Sequence, residues 1–194
     1  MRLFIAVELD DAVLSAALET ARELQHKVEG RVRASWIQPD NMHLTVRFIG
    51  EVEEDRAGAV LDVLRPPLGV PEFDLALGGC GAFPSNSRPR VFWIGIARGA
   101  DALAAMHDEF NGRLELLGFA PEDRPFSAHL TLARVKELIR GSLNVMRDAV
   151  ESTHPVPAEC RIRSATLFRS HLSPKGARYE RLLIIPCRPR TANC

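Results

Sequence analysis

His43-Leu44-Thr45-Val46 and His129-Leu130-Thr131-Leu132 are nearly the same stretch written twice, and reading them together decides the rest of the chain. Side chains alternate between faces along an extended strand. Each His therefore shares a face with the Thr two residues on, while the intervening Leu and the following Val46 or Leu132 point into a core. Two such strands lying side by side across a groove bring two imidazoles and two hydroxyls into one volume. That set can move two protons and hold an anion without a metal.

One His-x-Thr means little, because a strand with a His and a Thr on its wet face arises by chance. The second copy gains weight from an internal repeat. Arg2-Leu3-Phe4-Ile5 overlays Arg90-Val91-Phe92-Trp93, a helical pattern follows each, and then comes a motif strand; Phe4 precedes His43 by 39 residues and Phe92 precedes His129 by 37. A duplicated strand, helix, strand unit predicts an α+β fold of two lobes related by a pseudo-two-fold axis. That axis sets the two motif strands at equivalent places facing one central cleft.

The elements between follow from periodicity and breakers. Val13, Leu14, Ala17, Leu18, Ala21, Leu24 and Val28 recur at helical spacing after Asp10-Asp11, and Gly30 closes that helix. Further helices are predicted over 53–64, stopped by Pro66-Pro67, over 103–117, closed by Gly118, and over 142–152. Strands are predicted over 3–9, 32–37, 43–49, 73–83 and 127–135, with 91–96 apolar enough to be buried on both faces. Residues 160–168 and 178–185 read as a closing pair of strands around Ser173-Pro174-Lys175-Gly176. The Arg- and Pro-containing tail over 187–194 reads as poorly ordered, which leaves 1–186 as one bilobal domain.

Composition narrows the function classes. A chain of 194 residues, 46% hydrophobic and 26% charged, buries a real core. Its formal net charge of zero removes bulk electrostatic attraction to nucleic acid or membrane, so an anionic substrate is captured locally. Only Lys27, Lys136 and Lys175 are Lys among the 25 basic residues, so cationic work falls to Arg, whose planar fork suits phosphate. Cys80, Cys160, Cys187 and Cys194 are widely separated and fit a reducing compartment better than a disulfide framework or a zinc site. The apolar run at the N-terminus is too short for a signal or a membrane span, and the expectation is a cytoplasmic protein with no membrane partner.

Histidine, with an unperturbed pKa of about 6.5, donates or accepts a proton near neutral pH. Two of them in opposite protonation states can take a proton from an attacking water and give one to a leaving alkoxide. Thr45 and Thr131 offer hydroxyl donors to non-bridging oxygens, where charge develops. This equipment suits a phosphodiester, above all a strained cyclic one, with no metal and no cofactor.

The residues resemble a family at this point, the 2H phosphoesterases, and within it the bacterial and archaeal RNA 2′,3′-cyclic phosphodiesterases, also called 2′-5′ RNA ligases. The resemblance runs through Trp36-Ile37-Gln38-Pro39-Asp40-Asn41-Met42-His43-Leu44-Thr45, Gly79-Cys80-Gly81-Ala82-Phe83-Pro84, Arg124-Pro125-Phe126-Ser127-Ala128-His129-Leu130-Thr131 and Ser173-Pro174-Lys175-Gly176-Ala177-Arg178-Tyr179. It implies two α+β lobes, each an antiparallel sheet with helices on its outer face. It implies hydrolysis of an RNA terminal 2′,3′-cyclic phosphate to a 2′-phosphomonoester, with 2′-5′ ligation of tRNA halves as the reverse, in a monomer. By analogy His129 is the base for water and His43 the acid for the leaving oxygen. Thr45, Thr131 and Arg134 hold the phosphate, and Phe48 or Tyr179 stacks on the terminal base.

The residues taken alone leave other readings open. Arg134 lies five residues beyond His129, on the opposite face of a regular strand, and Phe48, three beyond Thr45, faces the core of one. His26, His107, His154 and His171 read as surface or structural histidines, and Arg47 carries no role. A binding module would keep the cleft without needing an acid and a base. A metal hydrolase would need a third ligand at fitting spacing, and ATP-driven ligation a Gly-rich phosphate loop. A nucleotide cyclic phosphodiesterase or a 2′-5′ oligonucleotide esterase is the nearest rival.

Overall fold

The structure is a computed structural model and describes residues 1–122, 125–173 and 176–190. Strand β1 (Arg2–Val7) is buried on both faces beyond Arg2, because it runs through the interior of its sheet. Asp10 then starts helix α1 (Asp11–Lys27) by accepting the Val13 N–H at 2.9 Å, and the buried stripe Val13, Ala17, Ala21 and Leu24 turns one side of that helix to the core. Strand β2 (Val32–Trp36), a 3-10 turn over Pro39–Asn41 and strand β3 (Leu44–Glu51) follow, then helix α2 (Glu54–Leu64). The second half runs β4 (Phe73–Phe83), β5 (Val91–Arg98), α3 (Ala100–Glu115), β6 (His129–Leu138), α4 (Leu143–Glu151), β7 (Glu159–Ile162), β8 (Ser164–Ser173) and β9 (Gly176–Pro186).

Two antiparallel sheets result, in the strand orders β3-β1-β8-β9 and β2-β6-β5-β4-β7. The first order overlays β6-β5-β4-β7, with β2 an added edge strand, so the motif strands β3 and β6 hold equivalent places beside β1 and β5. This is the α+β, two-sheet fold that the repeat predicts. The helices are exchanged. Helix α1 follows β1 in the first sheet yet packs on β6 and β7 of the second, and α3 follows β5 in the second yet packs on β3 of the first. The helix-side faces of both sheets accordingly merge into one apolar cluster, from Leu3, Ile5 and Val7 through Phe92, Ile94, Phe110 and Leu130.

Four expectations need correction. The overlay of the halves is one residue out: Ala6 pairs with Thr45 and Trp93 with Thr131, so the counterpart of Ala6 is Trp93 and not Ile94. A one-residue slip exchanges faces, which is why Phe4 lies in a small cluster with Ala6 and Phe168 while Phe92 is buried in the main core. Strand β5 is not buried on both faces, since Phe92 and Ile94 are buried whereas Val91 and Trp93 are partly open. The stretch 160–168 is two strands, β7 in one sheet and β8 in the other, because the chain changes sheets at Arg163. Finally, the tail is docked as far as Arg190. Cys187 is buried and donates to the Arg163 carbonyl at 2.8 Å, Arg188 exchanges backbone hydrogen bonds with Val70 and Glu72 at 2.9 Å, and Arg190 reaches Asp74 at 3.4 Å. The remaining residues of the tail, 191–194, lie outside the described ones, as do Arg124, Pro174 and Lys175 of the quoted motifs.

One glycine of β4 makes room for an indole. Gly81 pairs with Trp93, and a Cβ there would sit 2.1 Å from the indole, which needs a bare backbone to lie on. Gly81→Val is expected to destabilise the protein by at least the ~1–3 kcal/mol typical of overpacking. Urea denaturation followed by Trp fluorescence measures that loss.

Candidate active site

The two motifs sit at the starts of β3 and β6, and these strands approach one another to within 8 Å between Cα atoms. Each histidine is held the same way. His129 Nδ1 lies 2.7 Å from the Ser127 carbonyl, and His43 bonds the Asn41 carbonyl, in both cases the residue two before. A ring nitrogen committed as donor to a carbonyl leaves the other nitrogen to act toward the cleft. Asn41 is itself fixed by the far edge strand of the first sheet, its Nδ2 donating to the Ala177 carbonyl of β9 at 3.0 Å.

Aromatic walls surround both rings. His43 packs 4.9 Å from Phe4, 6.2 Å from Phe168 and edge-on to Tyr179 at 5.1 Å. His129 meets Phe83 edge-on at 5.0 Å and Trp93 at 6.5 Å. Burial against these walls disfavours imidazolium and pulls both pKa values down, His43 to about 4, with Asn41 and Ser127 opposing through their carbonyls. The Arg134 charge pushes in the same direction on both, and also lowers the Tyr179 pKa, which burial raises overall. One guanidinium is thus within electrostatic reach of both histidines and of Tyr179.

Arg134 gets there through a β-bulge. Thr131 pairs with Trp93 and Arg134 with Val91, a register shift that leaves Leu132 extra and returns Arg134 to the face of His129 and Thr131. The first motif repeats the device: Ala6 pairs with Thr45 and Phe4 with Phe48, Val46 is extra, and Phe48 returns to the face of Thr45. The expectation that Phe48 faces the core is therefore wrong. Its ring is 49% exposed and lies 6.1 Å from Phe4. Phe48 and Arg134 occupy matched positions, an apolar platform on one sheet and a cation on the other.

The structure thus gathers His43, Thr45, Phe48 and Tyr179 on the first sheet and His129, Thr131 and Arg134 on the second. Sequence reasoning missed Phe4, Phe83, Trp93 and Phe168, whose strand phase could have shown them on the motif face. It also missed Glu8, whose charge acts on His43 and which accepts from Thr166 Oγ1 and from Arg181 Nε, both at 2.8 Å. No local signal marks Glu8, because its partners are distant in sequence. Among the described residues no three His, Cys, Asp or Glu side chains gather as a metal-binding group, and no helix is long and apolar enough to cross a membrane.

Comparison with known proteins agrees with this geometry. The family model LigT like Phosphoesterase matches twice, over residues 13–93 and 94–179. The RNA 2′,3′-cyclic phosphodiesterase of Archaeoglobus fulgidus is 32% identical over 184 residues, covering 95% of this chain and 99% of that protein. The Thermus thermophilus protein TT0787 superposes with a TM-score of 0.77 at 28% identity, covering 97% of this chain and 99% of that one. Escherichia coli LigT complexed with 3′-AMP has the same fold, with a TM-score of 0.65 at 24% identity over 96% of this chain and 97% of its own. A motif in each half, a family match to each half and a shared fold across nearly the whole length lead to one conclusion: the chain belongs to the LigT-like phosphoesterases, the 2H phosphoesterase family.

Proposed function

We propose that the protein hydrolyses a 2′,3′-cyclic phosphate at the end of RNA to a 2′-phosphomonoester, with one histidine as general base and the other as general acid and without a metal. The observation that carries this reading is the matched pair of imidazoles, one per sheet, each held by a carbonyl two residues back and both within reach of the Arg134 charge. The name of the Archaeoglobus fulgidus relative supports the substrate. Phosphate would sit between Thr45, Thr131 and Arg134, and the terminal base against Phe48 or Tyr179.

His43 meets the requirement for a base, an imidazole that is neutral at pH 7, which leaves His129 as the acid, the reverse of the assignment made from the resemblance. Burial pushes the His43 pKa down to about 4 and lowers that of His129 as well. The step then balances: His43 takes a proton from water as its oxygen bonds to phosphorus, the bond to the 3′ oxygen breaks, and His129 protonates that oxygen. Solvent afterwards exchanges the two protonation states. With a 5′-hydroxyl in place of water the same step makes a 2′-5′ linkage between RNA ends, tRNA halves among them, driven by ring strain and not by ATP.

The test is turnover in EDTA of an RNA oligonucleotide ending in 2′,3′-cyclic phosphate, with the product phosphate position assigned by NMR. A 2′-phosphate is the expected product. A 3′-phosphate would redirect the acid to the other oxygen, and no turnover in EDTA would overturn the metal-free mechanism. A cyclic mononucleotide turned over as well as the oligonucleotide would favour the nucleotide phosphodiesterase reading.

A further inference from the structure

We infer that Arg47 is a positioning residue that ties the first motif strand to the loop delivering the second, so that neither histidine is set independently. Its side chain is only 5% exposed. The guanidinium donates through Nη1 to the carbonyl of Phe48, its neighbour in the bulge, and through Nη2 to the carbonyl of Ala120, beyond the end of α3. Its charge is met by Glu122, with Nη1 to Oε2 at 3.8 Å.

Glu122 carries the link onward. Its Oε2 lies 3.6 Å from Nε2 of His107, a buried residue of α3, and the His107 ring stacks on Phe126 at 4.6 Å and 16°. Phe126 immediately precedes Ser127, whose carbonyl holds His129. A path of contacts thus leads from the β3 bulge to the second histidine. Arg56 of α2 pins the same loop from outside, donating to the Leu117 carbonyl at 2.6 Å and lying 4.7 Å over the Phe119 ring.

The bulge explains why an arginine is needed. It breaks the ladder between Thr45 and Arg47 and turns Phe48 to the cleft, and the Arg47 fork supplies the Phe48 carbonyl with a donor. The same fork reaches a second carbonyl on another segment, which a lysine's single ammonium cannot do with the same planar geometry. Removing it would leave Glu122 without its cation and the loop without its anchor.

The kinetic arm of the test rests on the cyclic phosphodiesterase reading; the other arm does not. Arg47→Lys, Arg47→Met and Glu122→Gln are compared with the parent for kcat and KM on the cyclic-phosphate oligonucleotide. The His129 imidazole is titrated by NMR, its resonance assigned by its loss in His129→Ala. Arg47→Met is expected to lower kcat about 10- to 100-fold, the effect of misplacing a reacting group by around 1 Å, with KM changed less than about threefold. The His129 titration is expected to move up toward ~6.5, because the burial that lowers it is the larger influence and a freed ring loses it.

Arg47→Lys and Glu122→Gln should give smaller shifts of the same sign, and they carry the test if Arg47→Met does not fold. An unchanged His129 titration in the folded variants would overturn the inference, whether or not kcat falls. If the parent proves inactive on the oligonucleotide, the functional reading fails while the titration still decides the role of Arg47.

Discussion

Replacing His43 or His129 with Ala is expected to cut turnover of the cyclic-phosphate oligonucleotide by ~10² to 10⁴ in kcat, with KM little changed, because each ring moves a proton only in the transition state. The double substitution should cost little more than the worse single one, since an acid without its base, or the reverse, already leaves the step uncatalysed on one side. The two variants separate on a substrate whose leaving 3′ oxygen is replaced by sulfur. A thiolate leaves without protonation, so the variant lacking the acid recovers on it and the variant lacking the base does not. Recovery of His129→Ala is the expected result, with His43, neutral at pH 7, as the base. Recovery of His43→Ala instead would restore the assignment made from the resemblance, and equal residual activity of parent and both variants would remove histidine catalysis altogether.

Arg134→Leu is expected to lower kcat by ~10² to 10³, the effect of losing one donor to a developing oxyanion. It should also move the pH profile, in a direction fixed by charge. The Arg134 cation disfavours imidazolium at both histidines, so its removal raises both pKa values. The acid limb, where the base must be neutral, and the alkaline limb, where the acid must be protonated, therefore both shift to higher pH. Arg134→Lys keeps the charge and should leave the limbs in place while losing part of kcat, since an ammonium cannot offer a planar fork. A profile unmoved in Arg134→Leu would mean that the guanidinium does not act on the histidines in solution. A normal kcat in both variants would take Arg134 out of phosphate binding.

Several features of the site were legible in residue order because they are local. The sharing of a face by His43 and Thr45, and by His129 and Thr131, follows from strand alternation, and the helix start at Asp10 from capping chemistry. Duplication was legible too, although the overlay of Phe4 on Phe92 missed the register by one residue. That slip mattered, because it hid Trp93 as the counterpart of Ala6 and left the wall of His129 unrecognised.

Faces beyond a bulge were not legible. Phe48 and Arg134 each stand five residues past a histidine, where alternation assigns them to the core, and only the ladder register shows the extra residue, Val46 or Leu132, that turns them to the cleft. Nor could sequence spacing assign Arg47, whose partners Ala120 and Glu122 lie more than seventy residues away.

By itself, the sequence determined the chemistry on offer: two histidines, two threonines, an excess of arginine over lysine, and the strand and helix patterns that carry them. Those depend on side-chain type and on periodicities of two and 3.6 residues, which any short window of the chain contains. The tertiary structure alone decided which helix covers which sheet, which residues past the bulges reach the cleft, and how strongly each imidazole resists a proton. Each of these depends on what a residue meets from parts of the chain distant in sequence, and burial and charge at His43 and His129 exist only once Phe4, Phe168, Phe83, Trp93 and Arg134 have been brought around them.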